Sequence, residues 1–360
     1  MSLQFPELNY LPRIPDNIGL GIGLIGAGYI AEIGHIPAFL EAGYNITAAA
    51  DLSEERREYC RKMAGIDKVF SDYRSLLELP DIQIVDITVP QSSPNKIKII
   101  HDCIDAGKNI LVEKPLAMDY QEAKMVVQHA YRAGIKLAVC HQYRWMPVFR
   151  VIKNLIDQGY LGELFLLSMD ERRSYDYPEK YYNNQPRWLL FMDAIHFVDQ
   201  FRWWTCQEPN RVFASLSRRP GQYAKGEMLG TLVMEFEEEL QATYVACDAT
   251  HPQSQYHHIR IEGTEGVINA KFDDLFVAGE LEYSSTESQS FWYRPSLEGK
   301  AFTNGFIGLM GNLIEAVTEG KEPEVSGTDN LKTLQIILAG YKSDESNRVV
   351  LPAEIDTSNK

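Results

Sequence analysis

The chain has 360 residues, 45% of them apolar, which suffices for two domains with substantial cores. A net charge of −15 argues against general nucleic-acid binding and against docking on anionic membranes, while leaving room for a local basic pocket. The five cysteines, Cys60, Cys103, Cys140, Cys206 and Cys247, are scattered, odd in number and without a C-x-x-C pair, which predicts buried thiols in a reduced cytoplasmic protein; neither a signal peptide nor a membrane-spanning run is expected.

Residues 1–17, with Pro6, Pro12 and Pro15, read as an extended arm. A first strand is predicted from Ile18 to Ile25, leading into Gly23-Leu24-Ile25-Gly26-Ala27-Gly28-Tyr29-Ile30-Ala31. That order suits a dinucleotide-binding turn: Gly26 reverses the chain, Gly28 lets backbone approach a pyrophosphate, and Ala31 allows close helix packing. The pyrophosphate would sit on the N–H groups of the helix start that Tyr29 and Ile30 open. Gly21-Ile22-Gly23-Leu24-Ile25-Gly26 fits the same pattern, but would put Pro15 and Asp16 in a central strand, so the turn is placed at Gly26–Ala31. A short helix to Gly34 and a second from Pro37 follow.

Asn45–Asp51 is the second strand, and Ser53 caps a helix over Glu54–Ala64. Lys68–Phe70 is a short strand, Asp72–Leu79 a short helix, and Ile82–Thr88 a buried strand ended by Pro90. Helix Asn95–Ala106, strand Asn109–Val112, Glu113-Lys114-Pro115, helix Asp119–Ala133 and strand Ile135–Cys140 complete an alternation that implies a parallel sheet with helices on both faces. After His141 come a helix over Pro147–Gln158, a strand Leu164–Glu171, a loop over 172–188 and a helix Trp188–Trp204. Strands are predicted at 211–217, 228–237, 240–249, 256–262, 266–270, 275–283 and 289–294, and helices near 305–319 and 328–343. Runs of strands with flanking helices predict an α+β domain with a mostly antiparallel sheet. The domains are expected at 18–143 and 144–360.

The turn at Gly26–Ala31, Glu113-Lys114-Pro115, Tyr143-Arg144-Trp145-Met146-Pro147, the run Ile156 to Glu163, His196-Phe197-Val198-Asp199 and Gly263-Thr264-Glu265-Gly266 resemble the glucose–fructose oxidoreductase / inositol dehydrogenase (Gfo/Idh/MocA) family over nearly the whole chain. The resemblance implies an NAD(P)-dependent dehydrogenase of a sugar, polyol or related alcohol, with a second domain whose large, open sheet covers the substrate and makes homodimer or homotetramer contacts.

Asp51, at the end of the second strand and about 20 residues past the turn, is expected to accept the adenosine ribose hydroxyls and repel a 2′-phosphate. NAD is the expected cofactor, with Arg56 and Arg57 leaving NADP open. Gly26, Gly28, Tyr29, Ile30, Asp51, Pro90 and Glu113 make up the expected cofactor set. Lys114 would polarise the substrate oxygen, and the resemblance gives Glu113 the task of holding the cofactor or the lysine. It also makes His196 a proton-transfer group, for which an unperturbed pKa of about 6.5 suits imidazole.

The sequence departs from the family pattern in one place. The family aspartate would fall four residues before His196, where Met192 stands; Asp193, three before, shares a helix face with His196 and is expected to replace it. Arg172, Arg173, Tyr175, Tyr177, Tyr181, Tyr182, Arg187 and Trp188 form an expected substrate loop of aromatic and cationic side chains; if Asp193 instead points away, Met192 faces the substrate as an apolar wall. His251, His257 and His258 lack a completing carboxylate or cysteine, and no metal is expected. A sugar hydrolase that oxidises its substrate transiently, and a non-catalytic ligand sensor, are the alternatives on the same scaffold; net NADH production separates the dehydrogenase from both.

Overall fold

The computed structural model describes residues 8–180, 182–272, 275–286 and 291–356. It divides into two compact units, one of Pro12–Trp145 with Phe302–Leu331, the other of the chain up to Leu11, Met146–Ala301 and Lys332 onward. The sequence-based division near residue 144 therefore misses a return: residues 302–331 cluster with the nucleotide-type unit, and the N-terminal arm is split at Leu11.

In the first unit, strands β1 (Ile22–Ile25), β2 (Ile46–Ala50), β3 (Lys68–Phe70), β4 (Ile84–Ile87), β5 (Asn109–Val112) and β6 (Leu137–Val139) alternate with helices α1 (Ile36–Ala42), α2 (Glu54–Met63), α3 (Tyr73–Leu77), α4 (Lys96–Asp105) and α5 (Tyr120–Ala133). All pairs are parallel, in the order β3-β2-β1-β4-β5-β6. Every residue of β1 and β4 is buried, as a sheet covered on both faces requires. The strand order reverses between β1 and β4, and ligands of open α/β sheets bind outside the carboxyl ends at such a point.

β1 starts at Ile22 rather than Ile18, because the Gly21 N–H is diverted to Gln83 Oε1 at 2.7 Å. The expected helix break before Pro37 takes another form. A π-helical turn, Ala31–His35, runs straight into α1, with the Ile36 N–H on Ala31 O, and Pro37 sits in the first turn of α1 where its missing donor is harmless. Gly34 is no helix stop: a Cβ there would lie 2.5 Å from the Phe306 ring, so the glycine permits close packing.

The second unit has α6 (Pro147–Asp157), β7 (Leu164–Arg172), a π-turn Leu190–Ala194 leading into α7 (Ile195–Thr205), and strands β8 (Arg211–Ser217), β9 (Leu229–Glu235), β10 (Gln241–Cys247), β11 (Tyr256–Gly263), β12 (Gly266–Lys271) and β13 (Glu280–Ser285). The long helix α8 (Ala301–Glu319) belongs almost wholly to the first unit, and α9 (Gly327–Ser346) starts there and ends in the second. The seven strands order as β13-β12-β11-β7-β10-β9-β8, antiparallel except for β7 with β10. Period-two alternation sends Leu167, Met169, Tyr244, Ile259 and Ile261 into the core, where Phe149 of α6 and Phe197 of α7 pack on Phe272 with centroids 5.0 and 6.0 Å away.

The strand expected at 275–283 forms later, at Glu280–Ser285. Of the last predicted strand, residues 289 and 290 lie outside the described residues, and Tyr293 makes only an isolated bridge to Tyr283.

Candidate active site

The glycine turn lies at the carboxyl end of β1. Gly26 adopts a φ of +92°, a left-handed conformation that side chains rarely take. Its carbonyl accepts a hydrogen bond from Thr88 Oγ1 at 2.7 Å, which ties the turn to the end of β4. Gly23 is inside β1, where a Cβ would strike Leu76 at 2.6 Å, so the alternative glycine register is a packing feature. A Cβ on Gly28 would meet nothing within 4 Å. That open space, beside the exposed Tyr29 and half-buried Ile30, fits a pyrophosphate on the helix start.

Asp51 follows β2. Its Oδ2 accepts from the Ala27 N–H at 2.7 Å and its Oδ1 from the Ser53 N–H at 2.8 Å. The carboxylate therefore fixes the turn itself, and each oxygen keeps a second lone pair for a ribose hydroxyl. Ser53 occupies the N-cap of α2 without a side-chain capping bond. Arg56 is paired with Glu32 at 2.6 Å, and Arg57 donates to the Asp51 and Leu52 carbonyls. Pro90 is exposed in the loop after β4, and its carbonyl accepts from Ser93 N at 2.9 Å.

Glu113, Lys114 and Pro115 leave the end of β5, and the Lys114–Pro115 peptide is cis. Beneath them lies a buried charged network that sequence reasoning missed. His35, fully buried, places Nδ1 2.8 Å from Asp86 Oδ2 and Nε2 3.0 Å from Glu113 Oε1. Both ring nitrogens face carboxyl groups, an arrangement that suits a protonated ring donating to each. Burial pulls its pKa down, but the Asp86 charge and the hydrogen bonds to both carboxylates prevail, and it rises from 6.5 to about 9. Burial by itself would raise Glu113; the His35 bond and charge, with the Lys114 charge, hold it below its ordinary value. Lys96, the first residue of α4, is also buried and donates from Nζ to the carbonyls of Glu113 (2.5 Å) and Pro115 (2.6 Å). Asp86 in the middle of the apolar run Ile84–Ile87 was the available signal, since a carboxylate in a buried strand needs a partner.

In the second unit, Asp193 lies in the π-turn and is ion-paired with Arg173. Asp193, Glu171 and Asp248 are all buried, with carboxylate oxygens within 4.8 Å of one another. Arg173 also approaches Glu171 at 3.6 Å, His257 Nε2 lies 3.2 Å from Glu171, and Trp188 Nε1 donates to Asp248 at 2.7 Å. Burial, and then the neighbouring Asp193 and Glu171, push the Asp248 carboxyl well above the usual carboxylate range. Of the groups compact enough for a metal ion among the described residues, this one already holds a guanidinium, and His35–Glu113–Cys140 has both imidazole nitrogens engaged.

The expected substrate loop separates into different environments. Arg172 pairs with Asp170 and lies over the Tyr256 ring, on the sheet face opposite Glu171. Tyr175 lies under the Arg173 guanidinium at 4.0 Å, and the half-exposed Tyr177 bonds Ser174 Oγ at 3.1 Å. Trp188 is buried against the ring of Tyr182, 4.2 Å between centroids, so it serves the core. Tyr181 lies outside the described residues. His196 is buried in the first turn of α7, and Met192 is half-buried in the π-turn before it.

A family profile described as an oxidoreductase family with an NAD-binding Rossmann fold matches residues 20–141, and the Gfo/Idh/MocA C-terminal domain profile matches residues 149–269. The chain belongs to the Gfo/Idh/MocA oxidoreductase family. Among its relatives, D-apiose dehydrogenase of Paraburkholderia graminis is 25% identical, over 91% of this chain and 88% of the relative. Myo-inositol 2-dehydrogenase of Thermotoga maritima is 23% identical over 93% and 99%. The fold is shared with an Agrobacterium radiobacter oxidoreductase solved with NAD+, L-tartaric acid and magnesium, at a TM-score of 0.83, 21% identity and coverage of 94% and 99% of the two chains. Levoglucosan dehydrogenase in complex with NADH superimposes with a TM-score of 0.83, 22% identity and coverage of 92% and 98%. As a Gfo/Idh/MocA protein the chain takes NAD, and Gly26, Gly28 and Asp51 are the residues here that fit it.

Proposed function

We propose that this oxidoreductase interconverts an alcohol and a carbonyl on a sugar, a polyol or a related compound. The observation that carries the reading is local. The glycine turn, the Asp51 carboxylate and Glu113-Lys114 all stand at carboxyl ends of one parallel sheet, where a dinucleotide binds. The apiose, inositol and levoglucosan dehydrogenases among the relatives support the substrate class. Nicotinamide, when bound, supplies the hydride acceptor or donor.

Lys114 takes the hydroxyl proton, and its position directly after a carboxylate locked by His35 supports that role. His196 is the second proton carrier, while Asp193, drawn into the Arg173 pair, anchors the polar network of its own unit. Tyr175, Tyr177, Arg172 and Met192 are the candidate substrate contacts. The protein works in the cytoplasm as a homo-oligomer joined through the open sheet of the second unit. No helix among the described residues is long and apolar enough to cross a membrane. A panel of sugars, inositols and sugar acids, assayed with NAD and with NADP by absorbance of the reduced nicotinamide, tests the reading. Reduction of NAD by a panel member supports it, and bond cleavage without net NADH would replace it with the hydrolase.

A further inference from the structure

An ammonium ion that is 3% exposed needs an explanation, because burying it is costly. Lys96 Nζ is held 2.5 Å from the carbonyl oxygen of Glu113 and 2.6 Å from that of Pro115. These carbonyls belong to the residues immediately before and after Lys114. One cation therefore grips both ends of the backbone segment that carries the proposed proton-transfer group. The grip is braced from the other side, since the Glu113 N–H donates to Ile87 O at 2.9 Å and the Glu113 carboxylate is bonded to His35. We propose that Lys96 is a positioning residue for Lys114: its buried ammonium fixes the backbone on both sides of Lys114 and holds a second positive charge within electrostatic reach of Lys114.

The surrounding charges agree with this. Glu113 after β5 attracts the Lys96 ammonium, and the Cys140 thiol after β6 and Lys114 itself act on it; His35 from the π-turn and Asp86 from β4 stand behind Glu113. Burial lowers the Lys96 pKa, the Glu113 charge opposes it and the Lys114 charge adds to it, leaving Lys96 at about 8, so it is charged at neutral pH. That repulsion is reciprocal: the Lys96 charge works against protonation of Lys114, and the Glu113 carboxylate works for it. A lysine that only capped stray carbonyls would leave Lys114 unaffected.

The inference rests on the proton-transfer role of Lys114, but its test does not need a substrate. The reactivity of Lys114 toward acetic anhydride, followed by peptide mass spectrometry across pH in the full chain, reports the protonation of that amine directly. Lys96→Met should raise the midpoint of Lys114 labelling by about one pH unit, while NADH affinity stays within about threefold. Lys96→Arg keeps the charge and should restore the wild-type midpoint. Should Lys96→Met fail to fold, Lys96→Gln retains a donor without the charge, and the same upward shift is expected. An unchanged midpoint in a folded, NADH-binding Lys96→Met or Lys96→Gln protein overturns the proposal. The role of Lys114 is judged separately, by turnover of Lys114→Met on the alcohol found in the panel.

Discussion

Asp51 does two things with one carboxylate. It bonds the backbone of Ala27 in the glycine turn and of Ser53 at the start of α2, and it stands where the adenosine ribose is expected. Asp51→Ala should therefore weaken NAD by on the order of 2–3 kcal/mol, as for loss of charge-assisted bonds, and weaken NADP much less, because the same change removes repulsion of a 2′-phosphate. Titration of both cofactors into both proteins measures this, and unchanged NAD affinity would remove Asp51 from the site. Lys114→Met keeps the apolar stem and deletes the amine. Turnover should fall at least ~10²-fold while NADH binding and melting temperature hold. Near-normal turnover would make the lysine structural. The two residues differ in how they were legible: both stand in motifs at strand ends, yet only coordinates reveal that Asp51 is also a clasp for the turn.

The π-turn Ala31–His35 is the element that joins the glycine turn to the end of β5. Its five-residue loop places His35 between Asp86 of β4 and Glu113 after β5. Because the folded-state pKa of His35 is raised from 6.5 to about 9, the folded state binds the extra proton, and the stabilisation is fully present below 6.5 and lost as pH rises through 9. Stability should thus decline across that window, by about 3 kcal/mol for a shift of this size. Urea denaturation at a series of pH values reads the slope. His35→Gln should be less stable at neutral pH and should lack the decline, whereas the same slope in His35→Gln would assign it to other groups. Nothing in the sequence announced the π-turn. Pro37 signalled only that a regular helix could not pass, and the extra residue per turn was the solution that kept His35 pointing inward.

At the scale of the molecule, the second-unit sheet leaves one face without the core's apolar packing. Strand pairing sets Val233 opposite Thr243 and Thr231 opposite Val245 on that face, next to Phe213, which is 38% exposed. A patch of this kind, bordered on the same face by the Arg211–Glu235 ion pair, suits contact with a second copy. Sedimentation of the wild type should give a dimer or tetramer, and Val233→Lys with Val245→Lys should give a folded monomer with the same circular dichroism. A wild type that sediments as a monomer at micromolar concentration would refute the assembly.

Period and punctuation alone determined the alternating strands and helices, the parallel sheet, the glycine turn and the antiparallel sheet, because these depend on neighbours within a few residues. Strands Arg211–Ser217 and Lys68–Phe70 fall where alternation places them. Only the tertiary structure decided what long-range partners decide. It returned residues 302–331 to the first unit, where Phe306 packs on Gly34 and on the His35 ring. It also paired Asp193 with Arg173, Glu113 with His35, and Lys96 with the carbonyls around Lys114. A buried charge is stable only beside its complement, and those complements come from distant strands, so their pairing exists only once the chain has folded.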